Sequence, residues 1–207
     1  MRVWVRAAAT ALSLCLAGAA SAQTFQDCEK TEIAAITTAI TGAHDLALQA
    51  AVAIGDTEEY RRWFGTYTRR AADELRSDLK SVYKAIAEQS LHNICVNTGL
   101  DGCKGGTYAY IYRAQAWTVH YCRAFFNLPS IVGISPSSPD LENGTMEGTI
   151  IHEVSHFGQT AGTDDFCYSR TECARMATWD SNGARRNADS LQYYAEDVLF
   201  FGGSDGG

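Results

Sequence analysis

The first third of the chain carries apolar residues at helical spacing. Across residues 27–54 they recur every three or four positions before Gly55, which predicts a long helix with an apolar face made by Ile33, Ile36, Ile40, Leu46, Leu48 and Val52. A short helix is predicted over 57–64. A third helix is predicted over 68–89, with one apolar face made by Leu75, Leu79, Val82, Tyr83 and Ile86.

The pattern changes near Leu91. Short segments rich in β-branched and aromatic residues, separated by turns with Gly or Asn, predict three strands over 91–97, 107–113 and 118–126. Residues 127–145 contain the turn-forming Pro and Ser residues of a loop. Beyond it, three further helices are predicted over 146–159, 170–180 and 186–200. The chain has no internal repeat, and the mixed pattern predicts a single α+β domain.

The first 22 residues have the parts of a secretory signal peptide. Arg2 and Arg6 give a positive start, and residues 7–18 form a short apolar stretch. A small-residue cleavage site, Ala20-Ser21-Ala22, follows. Cleavage after Ala22 would leave residues 23–207 as one domain, which we expect to be secreted or periplasmic.

Six of the seven cysteines lie beyond this leader: Cys28, Cys95, Cys103, Cys122, Cys167 and Cys173. An even number of cysteines in an exported chain predicts three disulfides, although the number alone does not fix which pairs form. A zinc site built from cysteines is not favoured, because no two cysteines stand at the Cys-x-x-Cys spacing.

Acidic residues outnumber basic ones, with 24 Asp and Glu against 17 Lys and Arg. No nucleic-acid partner is expected, because phosphate backbones attract basic surfaces. No apolar run reaches the roughly 18 residues that a membrane-spanning helix needs, so no membrane span is expected either. We expect the processed protein to be a monomer.

The clearest chemical motif is residues 152–156, which read His-Glu-Val-Ser-His. Apolar neighbours on both sides predict that this segment is helical. His152 and His156 then lie one turn apart on one face and can bind one zinc ion. Glu153 would face a water molecule at the metal instead of binding the metal itself.

A catalytic zinc needs a third protein ligand and an open position. A third histidine of the extended motif is excluded, because Gln159 and Gly162 stand where that motif requires Gly and His. Two kinds of carboxylate remain: a glutamate on a later helix, Glu172 or Glu196, or an aspartate soon after the motif helix. The sequence Gly162-Thr163-Asp164-Asp165 supplies the aspartate, and its glycine allows the chain to turn sharply back.

Several separated blocks, in this order, resemble the aspzincins, the family of deuterolysins and peptidyl-Lys metalloendopeptidases. The family motif is His-Glu-x-x-His followed by Gly-Thr-x-Asp, as in residues 152–156 and 162–165. The other matching blocks are Gly106-Thr107-Tyr108-Ala109-Tyr110, Cys122, Gly148-Thr149-Ile150-Ile151, Asn187-Ala188-Asp189-Ser190 and Tyr194-Ala195-Glu196. The resemblance implies a zincin-like α+β fold, in which N-terminal helices and a small β-sheet precede the active-site helix and the C-terminal helices.

The resemblance also implies roles for individual residues. Glu153 becomes the general base of a zinc metalloendopeptidase that acts on protein or peptide substrates. Tyr168 matches the tyrosine that stabilises the tetrahedral intermediate. Asp164 falls at the variable position of the motif and is the second choice for the third ligand. The implied ligands of one Zn²⁺ per chain are His152, His156 and Asp165.

Two disulfides, Cys28–Cys95 and Cys103–Cys122, are implied by the same resemblance. A Cys167–Cys173 bond departs from the family pattern and would pin the loop after Asp165, holding Tyr168 in place.

Substrate preference rests on two further positions. The lysine-specific branch of the family places two acids near the pocket for the residue after the scissile bond. Asp189 matches the first of them, but the second position is Gln192, which is neutral and can only form hydrogen bonds. The predicted preference for lysine at that subsite therefore depends on a single acidic residue. Asp189 has an alternative role as a helix cap or as an anchor for a tyrosine.

Two other functions are compatible with the sequence. The first is a zinc amidase that acts on cell-wall peptides, with the same metal site and a different pocket. The second is a non-enzymatic, disulfide-rich zinc-binding or toxin-like domain. Glu153 beside an open metal position speaks against this second function, because structural zinc sites are closed by four protein ligands.

Overall fold

A computed structural model gives the structure of the chain and describes residues 22–96 and 102–201. The predicted signal peptide lies outside the described residues, except for Ala22. Within the described ranges the chain forms seven α-helices and one four-stranded sheet. None of the helices in this part of the chain combines the length and the apolar character needed to cross a bilayer.

The three N-terminal helices lie where the apolar spacing predicts them: α1 (Lys30–Ala53), α2 (Glu58–Phe64) and α3 (Arg69–Glu88). Hydroxyl caps fix two of their starts, because the side chains of Thr57 and Thr68 accept hydrogen bonds from backbone N–H groups of the first turn. Helix α2 ends at Gly65, whose φ of 73° is left-handed.

The sheet contains β1 (Thr24–Gln26), β2 (His92–Val96), β3 (Ala109–Tyr110) and β4 (Thr118–Cys122), in the order β1-β2-β4-β3. The first three strands in that order are parallel, and β3 pairs antiparallel to β4 at the edge. The sequence pattern does not predict β1, which is three residues long. The strands predicted over 107–113 and 118–126 are longer than the observed β3 and β4. Residues 123–127 form a 3₁₀ helix instead of extending β4, and this turn buries Phe125 against Tyr121.

Four helices follow: α4 (Met146–Ser155), α5 (Arg170–Ala177), α6 (Ser181–Arg185) and α7 (Ala188–Phe201). Helix α4 is shorter than predicted because the chain turns away after His156. The pattern does not predict α6, a five-residue helix that begins at the cap Asp180. The predicted loop 127–145 contains one 3₁₀ turn, Pro139–Asn143.

Helix α4 lies between α1 and α7, with α3 also in contact. Its Ile150, Ile151 and Val154 side chains are fully buried. Helix α7 also packs on α2, where the ring centroids of Trp63 and Tyr193 lie 5.1 Å apart. The His-Glu-Val-Ser-His motif therefore lies on a helix that is surrounded by packed elements.

Three disulfides join the six cysteines of the described residues: Cys28–Cys95, Cys103–Cys122 and Cys167–Cys173. The first two are the pairs that the family resemblance implies, and the third closes the short loop after Asp165. The first ties the start of α1 to β2.

Candidate active site

Helix α4 presents the two histidines of the motif side by side. The hydroxyl of Thr145 accepts a hydrogen bond from the N–H of Gly148 and thereby caps the helix. One turn separates His152 from His156, whose backbone is still helical at the end of α4. Their Nε2 atoms lie 3.1 Å apart.

Hydrogen bonds to the other ring nitrogens fix the tautomer of both imidazoles. The Nδ1 atom of His152 lies 2.8 Å from Oδ1 of Asp189, on α7. The Nδ1 atom of His156 lies 2.9 Å from the backbone oxygen of Thr163. Both partners are acceptors, so in the neutral rings each Nδ1 carries the proton and each Nε2 presents a lone pair.

The turn after α4 brings one carboxylate back to these lone pairs. Gly162 has a φ of 62°, and the N–H of Thr163 then donates to the backbone oxygen of Ser155. Oδ1 of Asp165 lies 3.3 Å from Nε2 of His152 and 3.3 Å from Nε2 of His156.

The other candidate carboxylates point elsewhere. Asp164 accepts a hydrogen bond from Nη2 of Arg113 at 2.7 Å. Glu196 is buried and accepts hydrogen bonds from Thr145. Glu172 lies on the exposed face of α5. Among the alternatives that the sequence leaves open, only Asp165 joins the two histidines.

The donor set fits a zinc ion. Two neutral imidazole nitrogens and one carboxylate oxygen are a common zinc ligand set, and their spacing of 3.1 to 3.3 Å matches the edge of about 3.3 Å in a tetrahedron with zinc–ligand bonds of about 2.0 Å. Without a cation, three lone pairs would converge on one another. His152, His156 and Asp165 are therefore the residues of this site that can hold the metal.

Charge coupling in this cluster is strong. Burial opposes the protonation of His152, but hydrogen bonds to Asp165 and Asp189, together with their charges, outweigh it and raise its pKa well above the ordinary value. Burial alone would raise the pKa of Asp165, but the hydrogen bonds and charges of the two histidines hold it far below the usual range. The carboxylate is thus ready to bind a cation at neutral pH.

Glu153 faces the same space but lies outside the ligand triangle. It is buried, and its Oε1 is 3.9 Å from Nε2 of His152. Burial is the largest cause that raises its pKa above the ordinary value; the charges of Asp165 and Asp189 add to the rise, and the two imidazoles oppose it. A carboxyl with a raised pKa beside a metal position is suited to accept and return a proton.

Tyr168 stands at the mouth of the site, with 59% of its surface exposed. Partial burial raises the pKa of Tyr168, and the negative charges of Asp165 and Asp189, together with a hydrogen bond to Asp165, add to the rise. The phenol therefore stays protonated and can donate a hydrogen bond.

These residues line a cleft of about 830 Å³. One wall is the segment from Gly105 to Ile111, which contains the edge strand β3, and the opposite wall includes Tyr168, Asp189 and Tyr193. The cleft is large enough for a segment of peptide.

Both predicted substrate-binding residues line this cleft, but each already has a partner. Asp189 is 6% exposed and binds His152. Gln192 is 2% exposed, and its Nε2 donates to Oε1 of Glu196 at 3.3 Å.

Sequence reasoning missed three contributors. It did not predict that Asp189 orients His152 or that Thr163 orients His156. It also did not predict that Arg113 neutralises Asp164. The first partner lies on another helix and the second acts through its backbone, so no motif spacing signals either of them.

Comparison with known proteins gives three findings. The aspzincin family model, described as lysine-specific metallo-endopeptidase, matches residues 49–196. An extracellular protease of Aeromonas hydrophila is 31% identical over 171 residues, which are 82% of this chain and 45% of the relative. A peptidyl-Lys metalloendopeptidase of Pleurotus ostreatus is 28% identical over 178 residues, which are 84% of this chain and 96% of the relative.

The chain spans about half the length of the first of these curated relatives. Among solved structures, a zinc peptidase from Grifola frondosa has a similar fold, with a TM-score of 0.68 and 24% identity. The match covers 83% of this chain and 98% of that chain. This likeness confirms the predicted α+β, zincin-like fold.

Proposed function

This chain belongs to the aspzincin family of metallo-endopeptidases, and we propose that it is a zinc-dependent endopeptidase. The observation that carries the proposal is the convergence of three lone-pair donors in an open cleft, next to the buried carboxyl of Glu153.

One zinc ion per chain would be held by His152, His156 and Asp165. When bound there, zinc lowers the pKa of a water molecule and polarises the carbonyl of the substrate. Asp189 and Thr163 keep the Nδ1 protons in place, so both Nε2 atoms stay available as ligands.

Glu153 is the general base in this mechanism. It takes a proton from the water that attacks the scissile carbonyl carbon, and it later gives that proton to the leaving amine nitrogen. Its burial and raised pKa support this double use, because the protonated form is accessible between the two steps. No covalent bond between enzyme and substrate is required.

Tyr168 stabilises the developing oxyanion. Its hydroxyl donates a hydrogen bond to the oxygen of the scissile carbonyl as negative charge accumulates there. The raised pKa of the phenol keeps this proton in place.

The proposed substrates are proteins or peptides, with a preference for lysine directly after the scissile bond. The name of the Pleurotus ostreatus relative supports this preference, and Asp189 supplies a negative charge in the cleft wall. The preference should be incomplete, because Asp189 is shared with His152 and Gln192 is neutral.

Cleavage of the signal peptide after Ala22 would place the enzyme outside the cytoplasm, as the name of the Aeromonas hydrophila relative suggests for that protein.

The decisive experiment maps cleavage sites in an unfolded protein mixture by mass spectrometry. The zinc-loaded protein is compared with the same sample after chelation and with the E153Q variant. Cuts that disappear in both controls support the endopeptidase, and their position relative to lysine tests the subsite. Absence of cuts from a zinc-loaded, disulfide-intact sample would contradict the proposal.

A further inference from the structure

A buried ion cluster lies beside the active site, and the proposed mechanism does not use it. Nη1 of Arg170 donates to Oδ1 of Asp197 at 2.6 Å, and Nη2 donates to Oε2 of Glu196 at 2.5 Å. Trp63 donates through Nε1 to the second oxygen of Asp197 at 2.8 Å. The guanidinium carbon lies 5.4 Å from the ring centroid of Trp63 and 5.0 Å from that of Tyr193.

Stabilisation of the folded protein does not by itself account for such a buried ion cluster. The side chains of Glu196 and Asp197 are 0% and 2% exposed, and that of Arg170 is 11% exposed. The free energy that is lost when these ions are removed from water is of the same order as the free energy that their mutual attraction returns. What the cluster does provide is a bidentate attachment with a fixed geometry.

That attachment lies two residues after Tyr168. Because the tyrosine is 59% exposed, little packing holds its ring. Apart from the hydrogen bond between its hydroxyl and Asp165, its position depends on the backbone on either side. On the near side, Oδ1 of Asn187 accepts hydrogen bonds from the N–H groups of Phe166 and Cys167. On the far side, Arg170 is the first residue whose side chain is held by buried partners, the carboxylates of Glu196 and Asp197.

The residue between Tyr168 and Arg170 is held in a strained conformation. Ser169 has a φ of 67°, in a region that residues with a side chain seldom adopt. Such a conformation is unfavourable and persists only where the surroundings hold it. Those surroundings are the anchors on both sides of Ser169, the Cys167–Cys173 disulfide that closes the loop, and the hydrogen bond from the N–H of Cys173 to the backbone oxygen of Ser169.

Helix α7 carries both attachments. Asp189 near its start binds His152, while Glu196 and Asp197, two turns later, bind Arg170. One rigid element thus fixes a metal ligand and the segment that carries the tyrosine.

We propose that Arg170 is a positioning residue for Tyr168: its bidentate attachment to α7 holds the strained turn that directs the tyrosine hydroxyl to the reacting carbonyl. This inference rests on the role of Tyr168 in the proposed function.

A double-mutant cycle tests it. The variants R170M, Y168F and R170M/Y168F are assayed for kcat and KM on one peptide, with zinc content measured for each. We expect Y168F to lower kcat by about 100-fold, and R170M to lower it by about 10- to 100-fold with KM within a factor of about two. In the Y168F background, R170M should change kcat by less than about two-fold, because there is no hydroxyl left to position.

Two further variants keep the test valid. R170M leaves two buried carboxylates unpaired, so R170M/E196Q/D197N removes those charges and retains amide oxygens for Thr145 and Trp63. It should fold and show the same loss of kcat. The matched control is R175M, which makes the same change on the exposed face of α5 and should leave kcat unchanged.

Hydrogen exchange gives a readout that is independent of turnover. In R170M the amides of residues 166–172 should exchange faster, whereas those of α4 keep their protection. Equal loss of kcat in both backgrounds, unchanged exchange in 166–172, or full activity of Y168F would each overturn the inference. Wild-type protein that cleaves nothing refutes the proposed function instead, and the exchange measurement still decides whether Arg170 holds this segment.

Discussion

Asp189 accepts the Nδ1 proton of His152 at 2.8 Å, from a helix that follows the metal-binding motif by more than thirty residues. This contact fixes the tautomer of the first histidine and aims its Nε2 lone pair at the position shared with His156 and Asp165. The carboxylate also increases the basicity of the ring, which strengthens its bond to a metal. Asp189 is therefore part of the metal site whatever it does for the substrate.

Replacing Asp189 by Asn should weaken zinc binding by about 10- to 100-fold, because the ring loses its charged partner. Competition with a chromophoric chelator measures the affinity. The control is D45N, which removes the carboxylate from a similar pair on the surface, where Asp45 lies 2.9 Å from Nδ1 of His44. Equal zinc affinity in D189N and the wild type would show that the contact does not support the metal.

Replacing Glu153 by Gln should abolish proton transfer and leave the ligands in place. We expect kcat to fall by about 100- to 10,000-fold with one zinc per chain retained, measured by peptide turnover and metal analysis. E172Q, on the exposed face of α5, serves as control and should keep full activity. Substantial turnover by E153Q would rule out its role as the general base.

The two adjacent aspartates of the turn should respond differently to the same change. D165N removes a ligand and should weaken zinc binding by more than about 100-fold. That loss is larger than the one expected when a residue that only hydrogen-bonds a ligand is replaced. D164N breaks only a half-exposed ion pair with Arg113 and should leave zinc affinity within a few fold. Isothermal titration with zinc measures both, and the opposite ranking would assign the third ligand to Asp164.

Asp78 should make stability depend on pH away from the active site. Burial, together with the charge of Glu74, raises its pKa from an ordinary 3.8 to about 6. The protonated carboxyl therefore contributes stability that is complete below about pH 4 and is lost as the pH rises through about 6.

The D78N variant, which resembles the protonated carboxyl, should thus be more stable than the wild type at pH 8 and no more stable at pH 4. We expect about 1 kcal/mol at pH 8, because solvent screening reduces the roughly 3 kcal/mol that the full pKa shift would give for a partly exposed group. Urea unfolding at both values measures the difference. D73N, on the same helix, removes an exposed carboxylate that pairs with Arg76 and is the control. A D78N effect that is the same at both pH values would refute the prediction.

Much of the fold could be predicted because its helices bury one face each. The spacing of Leu75, Leu79 and Val82 predicts α3 closely, and all three side chains are buried. Short elements escaped prediction because their residues do not repeat often enough to establish a period. β1 is stabilised by pairing with a strand nearly seventy residues away, and α6 by a cap at Asp180.

The residues of the candidate site also differ in whether the sequence predicts them. The two histidines stand four residues apart at the end of one helix, so their spacing alone predicts their common face, and Glu153 follows His152 directly. The choice among Asp165, Glu172 and Glu196 depended on where the chain turns after α4, which spacing does not determine.

Helix α7 also constrains how this chain can vary in length. Glu196 follows Asp189 by seven positions, close to two full turns at 3.6 residues per turn, so both project from nearly the same side. One residue inserted between them would rotate the second by about 100° relative to the first. The glutamate would then occupy the position that Asp197 holds now, and the contact of Glu196 and Asp197 with Arg170 would be lost. Insertions and deletions between Asp189 and Glu196 should therefore be eliminated in this lineage, whereas substitutions at the exposed end of the helix, at Leu199 and Phe201, should be tolerated.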